Sequence, residues 1–289
     1  MRVAGLLFGG AGAGSFVSAG ERGLQNAAKD LGCTLELHHC ESTDSEDRRH
    51  ALNTIASTRP DLIVVHGGQG VEPLTRVAPN WPDQRFALTQ GFYAAPNVAC
   101  YEVLLEEPAF LAGAFAAWSS RTGVIGHLSG ERVGPGLKGE AAFRAGALAA
   151  LPGVTVISNF CGHQHDSELA RNAVLDHARN GVDIVFTMLG EGRAGAIEAC
   201  EGMQMQLIGD GIDWCEVRPD IFIASVFADS AWCTYRAVKN AREGRFTPLQ
   251  PERVGLENPE VCRLITRADT PEWIRAGIAS LSVPRPGLL

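Results

Sequence analysis

The chain has 289 residues, beyond the ~100–200 of a single domain, and its 45% hydrophobic and 20% charged residues exclude a disordered chain and predict two folded domains. Its net charge of −8, with no Lys/Arg block, excludes a nucleic-acid partner, because phosphate-backbone binding relies on clustered cations. The longest basic cluster, Arg48, Arg49 and His50, reads as a solvated helix face.

At the start of the chain, Arg2 leads directly into the first predicted strand, without the basic and apolar regions of a signal peptide. Nor does any apolar run reach the roughly 18 residues of a membrane span, so no direct membrane insertion is expected. Two localisations follow: cytoplasmic if Met1 is the native start, periplasmic or membrane-anchored if an export signal was removed.

Short aliphatic runs alternate with amphipathic stretches, the signature of βα units and a parallel sheet. Strands are predicted at residues 3–8, 34–38, 62–66 and 86–89. Between the first two lies a helix over residues 16–31, with Ser15 as its N-cap. The preceding run Gly9, Gly10, Ala11, Gly12, Ala13, Gly14 is not a P-loop, since Val17 and Ser18 stand where a Lys-Ser/Thr pair would follow. It is not a dinucleotide fingerprint either, because His38 and His39 end the second strand where an acid is needed. A tight turn that lets a ligand approach is the better reading.

Residues 96–107 read as an extended crossover entering a helix over 110–119. A second βα series follows: strands at 123–128, 154–159, 183–188, 206–209 and 221–226, with helices at 138–151, 167–180 and 194–201. A second crossover is expected at 225–230, before a helix over 231–242, and the Pro-rich end, 284–289, reads as a loose tail. These crossings divide the chain into residues 1–103 plus about 229–255, residues 104–228, and a tail 256–289 assigned to neither lobe. No internal sequence repeat is evident.

The eight cysteines form no CxxC pair, which argues against a structural zinc site or a thioredoxin-like motif. They read as small buried apolar side chains and favour a reducing compartment.

Ligands of open parallel sheets bind beyond the carboxyl ends of the strands. That rule selects Phe8, Gly9, Gly10, Ser15, Phe16, His66, Gly67, Gln69 and Gln90 from the first series. From the second it selects Glu131, His163, Gly190, Glu191, Asp210 and Asp213. Phe8 and Phe16 are the candidates for stacking on a planar ring. His163, His165 and Asp166 are too sparse for a metal, and neither a GxSxG elbow nor an HExxH pair is present, so no catalytic residue, metal or cofactor is assigned.

From Asp61 to Gly146 the segments PDLIVVHGGQG, VAPNWPDQRFAL, APNVACYEVLLEEPAFLAGAFAA, SSRTGVIGHLSG and FRAGA occur in order. In order and spacing they resemble the basic membrane protein (purine-nucleoside receptor) family of ABC-transporter substrate-binding proteins. The resemblance implies an α/β fold of two Rossmann-like lobes with parallel sheets, joined by hinge crossovers in the manner of type I periplasmic binding proteins and closing over a ligand. It also implies a purine nucleoside, nucleobase or related small heterocycle as ligand, and an ABC-type membrane permease as partner.

Carried over residue by residue, the family's ligand positions match unevenly. Ser15 and Phe16 fit its S-F-N segment, but Val17 replaces the Asn, and Gly12 and Ala13 the acids. In its I-G-x-D-x-D turn Gly209 matches, with the acids at Asp210 and Asp213 and glycine at Gly211; Ala228, beside Asp229, stands at the family's lysine. Two alternatives remain open: a cytoplasmic enzyme of the same fold hydrolysing a glycosidic bond with Glu131, Glu191, Asp210 or Asp213 as base, and a ligand sensor.

Overall fold

The computed structural model describes residues 1–10 and 16–282; the predicted N-cap Ser15 and the Pro-rich end lie outside the described residues. In chain order the elements begin β1 (Arg2–Phe8), α1 (Phe16–Leu31), β2 (Thr34–Cys40), α2 (Ser45–Ser57), β3 (Leu62–His66), α3 (Val71–Val77), β4 (Phe86–Thr89) and β5 (Val98–Val103). The second series is α4 (Glu106–Ser119), β6 (Val124–Ser129), α5 (Gly134–Ala150), β7 (Thr155–Phe160), α6 (Ser167–Arg179), β8 (Ile184–Met188), α7 (Arg193–Cys200), β9 (Gln206–Asp210), α8 (Trp214–Val217) and β10 (Phe222–Ala228). Then come α9 (Ala231–Arg242), β11 (Pro251–Val254), β12 (Cys262–Thr266) and α10 (Glu272–Leu281).

These elements fall into two units. The first comprises Met1–Val103, Val133–Pro135 and Asp229–Val254; the second comprises Leu104–Arg132, Gly136–Ala228 and Gly255–Leu289. The C-terminal elements β12 and α10 thus belong to the second unit. Each unit holds one six-stranded sheet, ordered β11-β5-β4-β3-β1-β2 in the first and β12-β10-β9-β8-β6-β7 in the second. Every pairing is parallel except β10 with β12. Parallel strands covered on both faces carry unbroken apolar runs, as in the fully buried β3, β4 and β5.

Alternate side chains sort those strands into layers. In the first unit Ala4, Leu6, Ile63, Val65, Phe86 and Leu88 pack with Leu52 and Ile55 of α2 and Leu74 and Val77 of α3. In the second, Ile125, Phe186, Ile208 and Val226 meet Phe115 of α4 and Phe143 of α5. On the opposite face Leu128, Val185 and Leu207 meet Val174 of α6 and Ala196 of α7.

Two glycines allow α4 and α5 to touch backbone to backbone. A Cβ at Gly113 would lie 1.9 Å from the Phe143 carbonyl oxygen, and one at Gly146 would lie 1.8 Å from that of Phe110. Both helices begin four residues earlier than the sequence suggests. Pro108 and Pro135 sit in their first turns, where a missing N–H costs no helical hydrogen bond.

The two sheets share one strand order, a repetition the sequence does not display. They also share an anchor at their amino ends. Asp61, just before β3, accepts the Arg2 amide at 2.6 Å. Asp183, just before β8 and buried, accepts the Ser120 hydroxyl and the Arg121 amide, each at 2.7 Å, and the Thr122 amide at 3.3 Å. A carboxylate taking several donors in this way ties the loop before one strand to the start of another.

One expectation fails outright. Arg48 is not part of a solvated face: it is buried, its guanidinium 5.3 Å from the Phe8 ring and its Nε donating to the Ser42 carbonyl at 2.8 Å. Guanidinium is weakly hydrated and stacks on aromatic faces, so it tolerates this position. The eight cysteines are all free, four of them buried and four partly buried. No helix among the described residues is long and apolar enough to cross a membrane.

Candidate functional site

Strand order reverses between β1 and β3 in the first sheet and between β6 and β8 in the second. At such a switch point the connections leave in opposite directions and open a crevice at the carboxyl ends. In the first unit the segments leaving β1, β3 and β4 are residues 9–15, 67–70 and 90–97, and none contains Asp, Glu, Lys or Arg.

His66, the last residue of β3, organises this end of the first unit. It is 1% exposed, and its Nε2–H donates to the Phe16 carbonyl at 3.0 Å. A carbonyl can only accept, so in the neutral ring Nδ1 is the acceptor, and it takes the Thr89 hydroxyl at 2.8 Å. The Thr89 oxygen in turn accepts the Gly67 amide at 3.2 Å. Burial lowers the His66 pKa from 6.5 to about 4, so the ring is uncharged at neutral pH.

The Phe16 ring lies flat on this imidazole, with centroids 4.1 Å apart and an interplanar angle of 11°. Gly20 makes room for it, since a Cβ there would come within 2.3 Å of the His66 ring. Gly67, at φ 115°, and Gln90, at φ 53°, hold the turns after β3 and β4 in left-handed backbone, rare for a residue such as Gln90. Gly9, at φ 106°, carries a carbonyl that accepts His39 Nδ1–H at 3.0 Å.

In the second unit the loop after β7 packs on the loop after β8. The Gln164 carbonyl accepts the Gly190 amide at 2.9 Å, and its side-chain amide donates to the Met188 carbonyl at 3.1 Å. His163 Nδ1 accepts the His165 amide at 3.1 Å, and His165 lies 3.7 Å from the Glu191 carboxylate. Beside them Arg193 forms an ion pair with Asp210 at the end of β9. The Arg193 guanidinium sits 4.5 Å over the Trp214 ring, whose Nε1–H donates to the Asp210 carbonyl at 2.9 Å. Burial pushes the Asp210 carboxyl up, and the guanidinium opposes that shift.

The predicted residues divide by use. Gly9, Gly10, Phe16, Gly67, Gln69 and Gln90 flank the strand ends of the first unit, while Ser15 lies outside the described residues. Phe8 is a core residue, enclosed with Leu6, Val65 and Arg48, which corrects its reading as a stacking surface. His66 is at the predicted strand end, but both ring nitrogens are engaged internally. Glu131, His163, Gly190 and Glu191 lie in the loops after β6, β7 and β8. Asp213 accepts the Glu216 amide at 3.2 Å as the N-cap of α8, so it serves the backbone.

Thr89 and Trp214 escaped the sequence reading. Their only signal is adjacency to Gln90 at one strand end and to Asp213 at another. Among the described residues no group of three or more His, Cys, Asp or Glu could hold a metal ion. A pocket of about 200 Å³ in the second unit, lined by Phe115, Ser119, Gln206, Ile223 and Arg267, lies at the amino ends of β9 and β10, away from these loops.

A family model described as ABC transporter substrate-binding protein PnrA-like matches residues 2–259. Basic membrane protein D of Borreliella burgdorferi is 34% identical over 147 residues, covering 48% of this chain and 43% of that protein. A purine-binding protein of Brucella abortus is 24% identical over 197 residues, covering 68% of this chain and 56% of that protein. The chain thus spans about half the length of these curated relatives. Among solved structures, an ABC transporter solute-binding protein from Aeropyrum pernix superposes with a TM-score of 0.80 at 25% identity, covering 100% of this chain and 82% of that one. The architecture is the type I periplasmic-binding-protein fold.

Proposed function

The chain belongs to the PnrA-like family of ABC-transporter substrate-binding proteins, and from that membership we propose that it binds a small planar heterocycle of the nucleobase or nucleoside class for delivery to an ABC-type permease. The family match over residues 2–259 carries this reading. The strand ends of the first unit support it: Phe16 is a partly exposed ring held flat by His66, and the Gln69 side-chain oxygen and the Phe16 ring edge both lie close beside Gly67. Aromatic faces stack on planar rings for roughly 1–3 kcal/mol each. A side-chain amide pairs with the donor–acceptor edge of a base.

Isothermal titration of the purified protein against purine and pyrimidine bases and nucleosides tests the proposal. Saturable heat with one or more of them is expected. Silence across the panel, with a compound of another class released on denaturing the purified protein, refutes the ligand assignment and leaves the fold untouched.

A further inference from the structure

We propose that the second unit carries a self-association site: Trp273 of one copy of this chain enters the pocket lined by Phe115 and Thr270 in a second copy, and the exchange is reciprocal about a two-fold axis. The site uses no residue of the strand-end loops, so its test stands apart from the ligand assignment.

The pocket, at the amino ends of β9 and β10, has a volume of about 200 Å³. That falls below the roughly 300–1,000 Å³ of sites for drug-sized ligands and above the roughly 150 Å³ of a cavity that takes benzene, so one aromatic side chain matches it. Phe115, Ile223 and Pro271 give it apolar walls. Ser119, Gln206 and Thr270 also line it, and none of their side chains has a hydrogen-bond partner among the described residues. Thr270 is 6% exposed, and a polar side chain so deeply buried is ordinarily paired. An unpaired hydroxyl at that depth marks a place where another molecule supplies the bond.

A ring of the right size stands beside the pocket. Trp273, in the first turn of α10, is 60% exposed, the most exposed large apolar side chain among the described residues. It follows the lining residue Pro271 by two positions, yet it is not itself part of the lining. Trp118 props it outward. The two rings meet edge to face at 6.2 Å, and Trp118 is seated where Gly277 leaves room, since a Cβ there would lie 2.6 Å from its ring. Arg275 fixes α10 against the loop that carries Thr270, donating to the Ala268 carbonyl at 3.0 Å. The Trp273 indole N–H has no partner among the described residues, and an indole that becomes buried needs an acceptor there. The hydroxyls of Ser119 and Thr270 and the amide oxygen of Gln206 are such acceptors.

A knob beside a hole of its own size is what an isologous contact requires, because a two-fold axis brings each knob over the other copy's hole. The surrounding charges suit a copy of the same surface. Arg267 and Asp269 line the pocket, and Glu272 and Arg275 flank Trp273 on α10. The two signs balance, so two such surfaces can set Arg against Asp or Glu rather than like against like. Tryptophan buried in a partner's pocket is also a frequent energetic anchor of interfaces.

Sedimentation velocity of the unaltered protein, from about 1 μM to about 300 μM, brackets the micromolar affinity of a modest interface. The weight-average mass is expected to rise toward that of a dimer. Trp273→Ala, which removes the knob, and Ser119→Trp, which fills the hole, are each expected to weaken self-association at least tenfold. Mixed in equal amounts they restore one of the two exchanges, so each variant is expected to bind the other more tightly than itself. In the unaltered protein, hydroxyl-radical oxidation of Trp273, read by mass spectrometry, is expected to fall as the dimer forms. Circular dichroism establishes that each variant is folded.

A mass that stays monomeric across the range overturns the proposal, and in that event binding of free indole that is lost in Ser119→Trp assigns the pocket to a small molecule instead. A dimer undiminished in folded Trp273→Ala overturns it too, as does a dimer in which Trp273 remains open to oxidation. Two folded variants that bind each other no better than themselves overturn the reciprocal exchange. Should either variant fail to fold, the oxidation of Trp273 in the unaltered protein decides.

Discussion

Replacing Thr89 with Val tests the network around His66 with little change of shape. The hydroxyl donates to His66 Nδ1 at 2.8 Å and accepts the Gly67 amide at 3.2 Å, whereas Val keeps the volume and removes both. Gly67 N–H still reaches the Thr89 main-chain carbonyl at 3.2 Å, so its loss is partial. His66 Nδ1 has no such substitute. Changing tautomer would deprive the Phe16 carbonyl of its donor, so one buried polar atom goes unsatisfied either way. That costs about 1–3 kcal/mol, and about 2 is expected here. At roughly 2–4 °C per kcal/mol for domains of this size, the melting temperature should fall by about 4–8 °C. Urea and thermal unfolding followed by circular dichroism measure both quantities, with Thr89→Ser as the control that keeps the hydroxyl. A loss under about 0.5 kcal/mol, or a Ser variant as damaged as the Val variant, would refute the reasoning.

Acid should weaken the fold through the buried histidines. Burial lowers the pKa of His66 from 6.5 to about 4 and that of His127 from 6.5 to about 3. The unfolded chain therefore takes up protons below pH 6.5 that the folded chain refuses, so stability is full above that value and declines as pH falls toward 4. Between pH 6.5 and 5 each should contribute a loss on the order of 2 kcal/mol, measurable as a shift in urea midpoint; a flat profile would count against both assignments. Gly113→Ala and Gly146→Ala should each cost about 3 kcal/mol by forcing α4 and α5 apart, and a thermal-shift loss below about 1 kcal/mol would show that the crossing relaxes freely. Asp183→Asn replaces a carboxylate that accepts three donors with an amide that can face them with only one oxygen. It should cost about 2–3 kcal/mol in chemical denaturation, and a neutral outcome would show that the loop before β6 does not depend on the charge.

The fold was legible because the strands of a doubly covered parallel sheet are written as apolar runs, and LIVVH and IVFTM admit little else. The family-like wording of the middle of the chain includes much scaffold. Asn97 of the APNV segment donates to the Ala78 and Trp81 carbonyls, and Glu107 accepts the Leu256 amide at 2.7 Å. Gly113 and Gly146 make the helix crossing, and Gly123, at φ 72°, turns the chain into β6. A match built from such residues carries architecture far better than ligand.

The C-terminal elements escaped because β11 and β12 are short edge strands, PERV and CRLIT, whose charged side chains break the apolar pattern. At the strand ends, sequence located the loops but not what their side chains do. Nothing in the run of letters reveals that His66 spends both nitrogens on Phe16 and Thr89, or that Asp210 meets Arg193 seventeen positions away. Those assignments depend on loops from different strands arriving at one place.

The amino-end anchors at Asp61 and Asp183 have a consequence for how such a protein changes over time. Each sheet carries a carboxylate clamp at the amino end of its strands, while the candidate ligand loops leave from the other. Mutational drift at the carboxyl ends can therefore rewrite chemistry without loosening those clamps. The architecture separates durability from innovation, and a laboratory library confined to the exposed positions Phe92, Ala94 and Glu191 should yield new specificities from a population that remains largely folded.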